Sequence, residues 1–207
     1  MAAATALGVT HFFESGVSHG QSTEFFCRYF EKGPRPVQFV GVDRDERRLL
    51  ARTKTRLLAR NHTVDLVRGT ADVFLRSRLA RLPSDAKVGI MLDGPKGTSG
   101  MSLGMELLRS FRQVGFFALH DVNPEMLSRP SSSEELSALV GNASMWTADP
   151  AWRSAMGKHD QHCGAAWRSF RDYTCPTLLS RVGHGLALYA SSELTQRAAS
   201  FVARDES

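Results

Sequence analysis

The sequence is poor in several features that would assign it quickly to a class. It has 3 cysteines in 207 residues, an odd number and too few for the disulfide framework of a small secreted domain. No Cys-x-x-Cys pair is present, so His159, His162, Cys163 and Cys175 make a weak case for a structural zinc. No window approaches the roughly 18 to 20 continuous apolar residues of a membrane helix. The first ten residues lack the basic segment that opens a signal peptide. These absences lead to the expectation of a cytoplasmic protein with no membrane partner. The dinucleotide fingerprint Gly-x-Gly-x-x-Gly is missing too, which counts against a nicotinamide cofactor.

What is present is ordinary for a globular chain. With 42% hydrophobic and 23% charged residues, the length suits a single domain over 1–207 with a substantial core. The net charge is +5, which raises the question of nucleic acid. Much of the excess sits in Arg44, Arg47, Arg48, Arg52, Lys54, Arg56 and Arg60. Their spacing spreads charge around a helix and reads as a solvated face. No zinc knuckle or RNA-binding aromatic signature accompanies them, so there is no clear nucleic-acid motif. An anionic substrate or a weak polyanion contact stays open.

Short β-rich runs alternate with helical stretches along the chain. The pattern predicts strands over 9–14, 37–42, 64–67, 88–92 and 115–119, with helices over 22–31, 72–82 and 103–111 and the arginine-rich helix between the second and third strands. A short strand at 145–147, a helix over 133–140 and a last strand at 185–190 follow. The expected fold is α/β: a Rossmann-like three-layer sandwich with a mostly parallel sheet of about seven strands. In such a sheet ligands bind at the carboxyl ends of the strands, near the point where strand order reverses. Polar residues fall at every predicted strand end: Glu14, Asp43, Gly69-Thr70, Asp93 and His120-Asp121.

Two glycines, Gly16 and Gly20, lie in the turn after the first strand. Glycine there allows positive φ and close backbone approach, and the helix start offers N–H groups. A plain structural turn would explain the pair equally well. Asp43 stands where an acidic side chain can accept from both hydroxyls of a ribose, or can cap the next helix.

Residues 9–123 resemble the class I S-adenosylmethionine-dependent methyltransferases, and within them the catechol O-methyltransferase-like group. The motif after strand one, acidic-x-Gly-x-x-x-Gly-x-Ser, is matched by Glu14, Gly16, Gly20 and Ser22. Asp43 matches the group's ribose-binding acid, and Gly69-Thr70-Ala71-Asp72 resembles its adenine-side turn. The resemblance implies S-adenosylmethionine as cofactor, held by Glu14, Gly16, Ser18, Gly20, Ser22, Asp43, Thr70, Ala71, Asp72 and Asp93. It also implies a cofactor-binding core over 9–123, and residues 124–180 read as a substrate-side insertion.

Methyl transfer to a hydroxyl needs the nucleophile held in line and its proton removed. Asp93-Gly94-Pro95-Lys96 has the group's Asp-x-x-Lys spacing, so Asp93, Lys96 and His120 are the catalytic candidates. Asp93, Asp121 and Asn123 are the metal candidates for Mg²⁺ or another divalent cation, which would acidify a bound hydroxyl. Val122 stands where the group usually carries Asn or Asp beside the strand-five acid. The plain alternatives are a solvated loop lysine for Lys96 and a strand-end contact for His120.

The leading expectation is an O-methyltransferase acting on a small hydroxylated molecule or a sugar, with a small-molecule substrate as partner and a homodimer left open. The other readings are a methyltransferase-like module without turnover and a nicotinamide oxidoreductase. Residues 149–176, with Trp152, Trp167 and neighbouring Trp146, read as a substrate wall or a subunit contact.

Overall fold

A computed structural model of the chain describes residues 4, 7–33, 35–44, 47–120, 145–146 and 187–191. Seven strands form one sheet: β1 (His11–Ser15), β2 (Gln38–Asp43), β3 (Asp65–Arg68), β4 (Val88–Leu92), β5 (Val114–Leu119), β6 (Met145–Trp146) and β7 (Ala187–Ala190). Among the described residues four helices cover it: α1 (Gln21–Glu31), α2 (Arg47–Leu58), α3 (Ala71–Leu79) and α4 (Gly97–Ser110). The strand order is β3-β2-β1-β4-β5-β7-β6. Neighbouring strands from β3 to β5 pair in parallel, while β7 is antiparallel to both β5 and β6. This is the Rossmann-like, mostly parallel architecture that the sequence predicts.

Successive side chains of a strand face opposite sides, and the sheet therefore carries two cores. Phe12, Phe39, Met91 and Phe116 face α1 and α2, where they meet Phe26, Phe30, Leu50 and Leu57. Phe13, Val40, Ile90, Leu92 and Phe117 face α3 and α4, against Leu75, Leu79, Leu103 and Leu107. Burial on both faces is why β4 and β5 are apolar without alternation. Phe117 stacks on Tyr189 of β7 with ring centroids 4.4 Å apart, which ties the reversed strand to the core.

The structure departs from the sequence pattern in two helices. α4 begins at Gly97 rather than near residue 103. Its first turns, Gly-Thr-Ser-Gly-Met-Ser, carry no apolar stripe and little helix propensity. They are helical because Gly100 seats against the Pro95 carbonyl and the Leu119 side chain. α3 ends at Leu79, where Ala80 caps it, short of the expected residue 82. The expected helix over 133–140, and most of the insertion at 124–180, lie outside the described residues. Among the described residues no helix is long and apolar enough to cross a membrane.

Gly104 lets α4 lie directly on β5. A Cβ built there would fall 2.4 Å from two atoms of the buried Phe117 ring, and that ring is pinned by Tyr189 on its other face. Replacing a helical glycine with alanine ordinarily gains about 1 kcal/mol. Here overpacking, typically about 1–3 kcal/mol, outweighs the gain. We expect Gly104→Ala to lower the thermal unfolding midpoint; a midpoint equal to or above that of the parent chain would contradict this packing.

Candidate cofactor site

Four loops leave the carboxyl ends of β1 to β4 and enclose a cleft of about 610 Å³. The sheet order turns between β1 and β4, so the cleft occupies the switch point where ligands bind in such sheets. Ser15 and Gly16 contribute from β1, Asp43 and Arg44 from β2, Gly69 to Asp72 after β3, and Asp93 to Pro95 after β4. The first turns of α4 close one side with Ser99, Ser102, Leu103 and Glu106.

The loop from 16 to 20 is tightly turned. Gly16 has φ +92° and Gly20 φ +71°. A Cβ on Gly16 would stand 2.9 Å from the Asp93 carbonyl carbon, so only glycine fits where the β1 and β4 loops touch. The Asp93 amide donates to the Ser15 carbonyl at 2.8 Å, and the Ser15 hydroxyl donates to the Gly94 carbonyl. Ser18 also takes a positive φ, 45°, and its amide donates to Asp43 Oδ2 at 2.6 Å. Asp43 is the last residue of β2, which sets its carboxylate at the cleft wall beside this loop.

Asp93 follows β4 directly. Lys96 Nζ donates to its Oδ1 at 2.5 Å, and His120 Nδ1 lies 3.1 Å from the same oxygen. Burial pushes this carboxyl up, but the hydrogen bonds and charges of His120 and Lys96 outweigh it and hold Asp93 below the ordinary carboxylate range. Lys96 is about half exposed, at 53%, so it stands in the loop as a donor to Asp93 rather than in an apolar pocket. On the far side of the cleft, hydrogen bonds from Thr70 and the local backbone hold Asp72 low.

Gly16, Asp43, Thr70, Ala71, Asp72 and Asp93 thus line the cleft as the sequence suggests. Glu14, Ser18, Gly20 and Ser22 do not line it. Glu14 shares the face of β1 that carries Phe12, beneath the first turn of α1. It is fully buried there, and the hydroxyls of Ser22 and Thr23 donate to its two oxygens. Its place is under the loop. Sequence patterns missed Ser99 and Ser102 because the turns that carry them do not look helical, and Glu106, inside the expected helix, because nothing in the pattern turns it toward the cleft. Nor did they reveal Arg76, whose guanidinium pairs with Glu106 through both nitrogens, Nε at 2.8 Å and Nη2 at 2.6 Å.

Asp93 Oδ1 already faces two donors, and among the described residues no three His, Cys, Asp or Glu side chains converge on one point. Asp121 and Asn123, the other expected metal ligands, lie outside the described residues, as do His159, His162, Cys163 and Cys175. Cys27 is buried, and burial pushes its thiol up to about 12, which leaves it a packing residue.

Burial raises the Glu14 carboxyl from its ordinary 4.5 to about 7; the charges of Asp93 and Asp43 add to this and the Ser22 and Thr23 hydroxyls offset part of it. Between those two values the folded chain holds a proton that the unfolded chain has released, so stability falls as pH rises through this window. A shift of this size corresponds to about 3 kcal/mol. Denaturant unfolding at pH 4.5 and pH 8 should show Glu14→Gln gaining on the parent chain by about that amount at the higher pH. Parallel pH profiles for the two proteins would contradict the assignment.

No protein-family model matches the chain, and no curated protein matches it in sequence. Among solved structures it is similar to WbdD at 13% identity and TM-score 0.44, over 69% of this chain and 32% of that one. It is similar to CmcI, solved with Mg and SAM, at 16% identity and TM-score 0.45, over 74% and 64% of the two chains. The YcgJ protein from Bacillus subtilis matches at 17% identity and TM-score 0.41, over 65% and 57%. The chain therefore spans less than two thirds of the length of each. Its Rossmann-like three-layer fold stands on its own strand order and pairing.

Proposed function

We propose that the chain is a class I S-adenosylmethionine-dependent methyltransferase that methylates a hydroxyl of a small molecule or sugar. The observation that carries this reading is the placing of three carboxylates, Asp43, Asp72 and Asp93, around one cleft at the switch point. These acids stand at or just after the ends of β2, β3 and β4, so a nucleoside laid across the strand ends would meet them in turn. Asp43 is the group to accept from the ribose hydroxyls, and Asp72 the group to accept from the adenine amine. The Gly16 loop gives backbone approach to the amino-acid portion. When bound, the cofactor supplies an electrophilic methyl group on a positively charged sulfur.

The acceptor hydroxyl must lose a proton as it attacks. With Nδ1 against Asp93, His120 is oriented so that Nε2 is the nitrogen to take it, and the Asp93 carboxylate stabilises the imidazolium that forms. Lys96 lies against the same carboxylate and is the second candidate base. Asp93 thus holds both side chains through one oxygen, and Lys96 must first release the proton it donates there. Asp121 and Asn123, the other expected ligands of a divalent ion, lie outside the described residues, so the proton transfer is argued from His120 and Lys96.

Calorimetry with S-adenosylmethionine, its demethylated product and NAD tests the cofactor directly. Heat is expected with both sulfur compounds and none with NAD. Silence with both sulfur compounds would sink the proposal, and heat with NAD alone would favour an oxidoreductase. Asp43→Ala should weaken binding by about tenfold or more, since it removes a charged acceptor and releases Ser18 as well. Asp93→Asn should lower turnover on a panel of phenols and sugars by about 10²-fold or more while leaving most of the affinity. Turnover with Mg²⁺ and with chelator separates the two routes: a loss with chelator indicates a metal-assisted hydroxyl, and equal rates indicate a side-chain base. Binding without turnover on any acceptor would instead indicate an inert binding module.

A further inference from the structure

We propose that Arg56 is a positioning residue that holds the 16–20 loop in its ligand-ready shape, an inference that rests on this loop belonging to the S-adenosylmethionine site. The loop needs external support. Ser18 is a non-glycine residue at φ 45°, between two glycines that are also left-handed, and such a conformation persists only where the surroundings hold it. One hold comes from inside the sheet, where Asp43 accepts from the Ser18 amide.

The other hold comes from α2. Arg56 Nη2 donates to the carbonyl of His19 at 2.7 Å and to that of Gly20 at 3.2 Å. One turn earlier on the same helix, Thr53 Oγ1 donates to the Ser18 carbonyl at 3.2 Å. Three consecutive carbonyls of the loop therefore bond to one helix. A planar trans peptide sets its N–H opposite its C=O, so the amides of His19 and Gln21 are turned away from α2. Gly20 is needed for the fit, since a Cβ there would fall 2.4 Å from Thr53 Cγ2.

Arg56 is itself fixed. Its Nη1 donates at 2.7 Å to Oε2 of Glu24, a buried carboxylate of α1. Arg28 and Arg60 bond to the other oxygen, Oε1, of the same group. A guanidinium can bridge a carboxylate and two carbonyls because its donors form a rigid fork, whereas an ammonium is a single point. Arg56 thereby joins the Glu24 cluster to the loop. Removing it leaves Glu24 with two cations and the loop without two of its outer bonds.

The test compares Arg56→Ala and Arg56→Lys with Arg28→Ala, which strips a cation from Glu24 while keeping the Arg56 bonds to the loop. Calorimetric titration with S-adenosylmethionine should show affinity reduced by about tenfold in Arg56→Ala, partly restored in Arg56→Lys, and unchanged in Arg28→Ala. Amide hydrogen exchange over residues 17–21, measured without ligand, should quicken in Arg56→Ala and not in Arg28→Ala. Equal losses of affinity in Arg56→Ala and Arg28→Ala would overturn the proposal, since the ion cluster as a whole would then be responsible. Exchange and affinity like those of the parent chain in both Arg56 variants would overturn it too. Should Arg56→Ala not fold, Arg56→Lys decides: faster exchange over 17–21 and weaker binding than in the parent chain support the clamp, and parent-like values overturn it. If the parent chain binds no S-adenosylmethionine, the functional reading fails, and the ligand-free exchange still judges the clamp.

Discussion

The β1 and β4 loops leave the sheet side by side and touch backbone to backbone. Gly16 leaves no room for a side chain against the Asp93 carbonyl carbon, the Asp93 amide donates to the Ser15 carbonyl, and the Ser15 hydroxyl donates to the Gly94 carbonyl. This contact exists because the chain returns from β3 to lay β4 beside β1. The candidate site is arranged around it. Asp43 approaches from the β2 side, Asp93 is fixed at its centre, and His120 reaches Asp93 from the end of β5. A change in the strand order would separate these groups, although each would keep its local structure.

Much of this was legible in the sequence, for a physical reason. Strands buried on both faces must be apolar throughout, and β4 and β5 announce themselves that way. Ligand-side residues sit one step beyond such runs, which is why Asp43, Gly69, Asp93 and His120 could be picked out. Glu14 was legible as an acid near a strand end but not in its position. It lies inside β1, and period-two alternation turns it under α1. The motif that points to it does not say whether its carboxylate meets ligand or hydroxyls of the protein.

The parts that sequence did not reveal share one cause, namely tertiary contact overriding local preference. The opening turns of α4 have weak helix formers, and packing on Pro95 and Leu119 makes them helical. That brings Ser99, Ser102 and Glu106 to the cleft wall. The arginine-rich helix is the converse case. Spacing spreads its charges evenly, as on a solvated face, and Arg52 and Lys54 are indeed exposed. Arg56 and Arg60 instead reach Glu24, a partner on another helix that no local pattern could supply.

The stack of Phe117 on Tyr189 has a consequence for how the chain is made. Synthesis proceeds from the N-terminus, and domains condense as their residues emerge. The parallel strands β1 to β5 can pair as soon as β5 is out, but Tyr189 is polymerised long afterwards. Until then one flank of Phe117 and the open edge of β5 have no partner from β7. An unpaired strand edge beside an aromatic ring is a template for other chains. The nascent protein is therefore most vulnerable to misassembly in the interval between β5 and β7, and a chaperone acting on it would find its target at that edge.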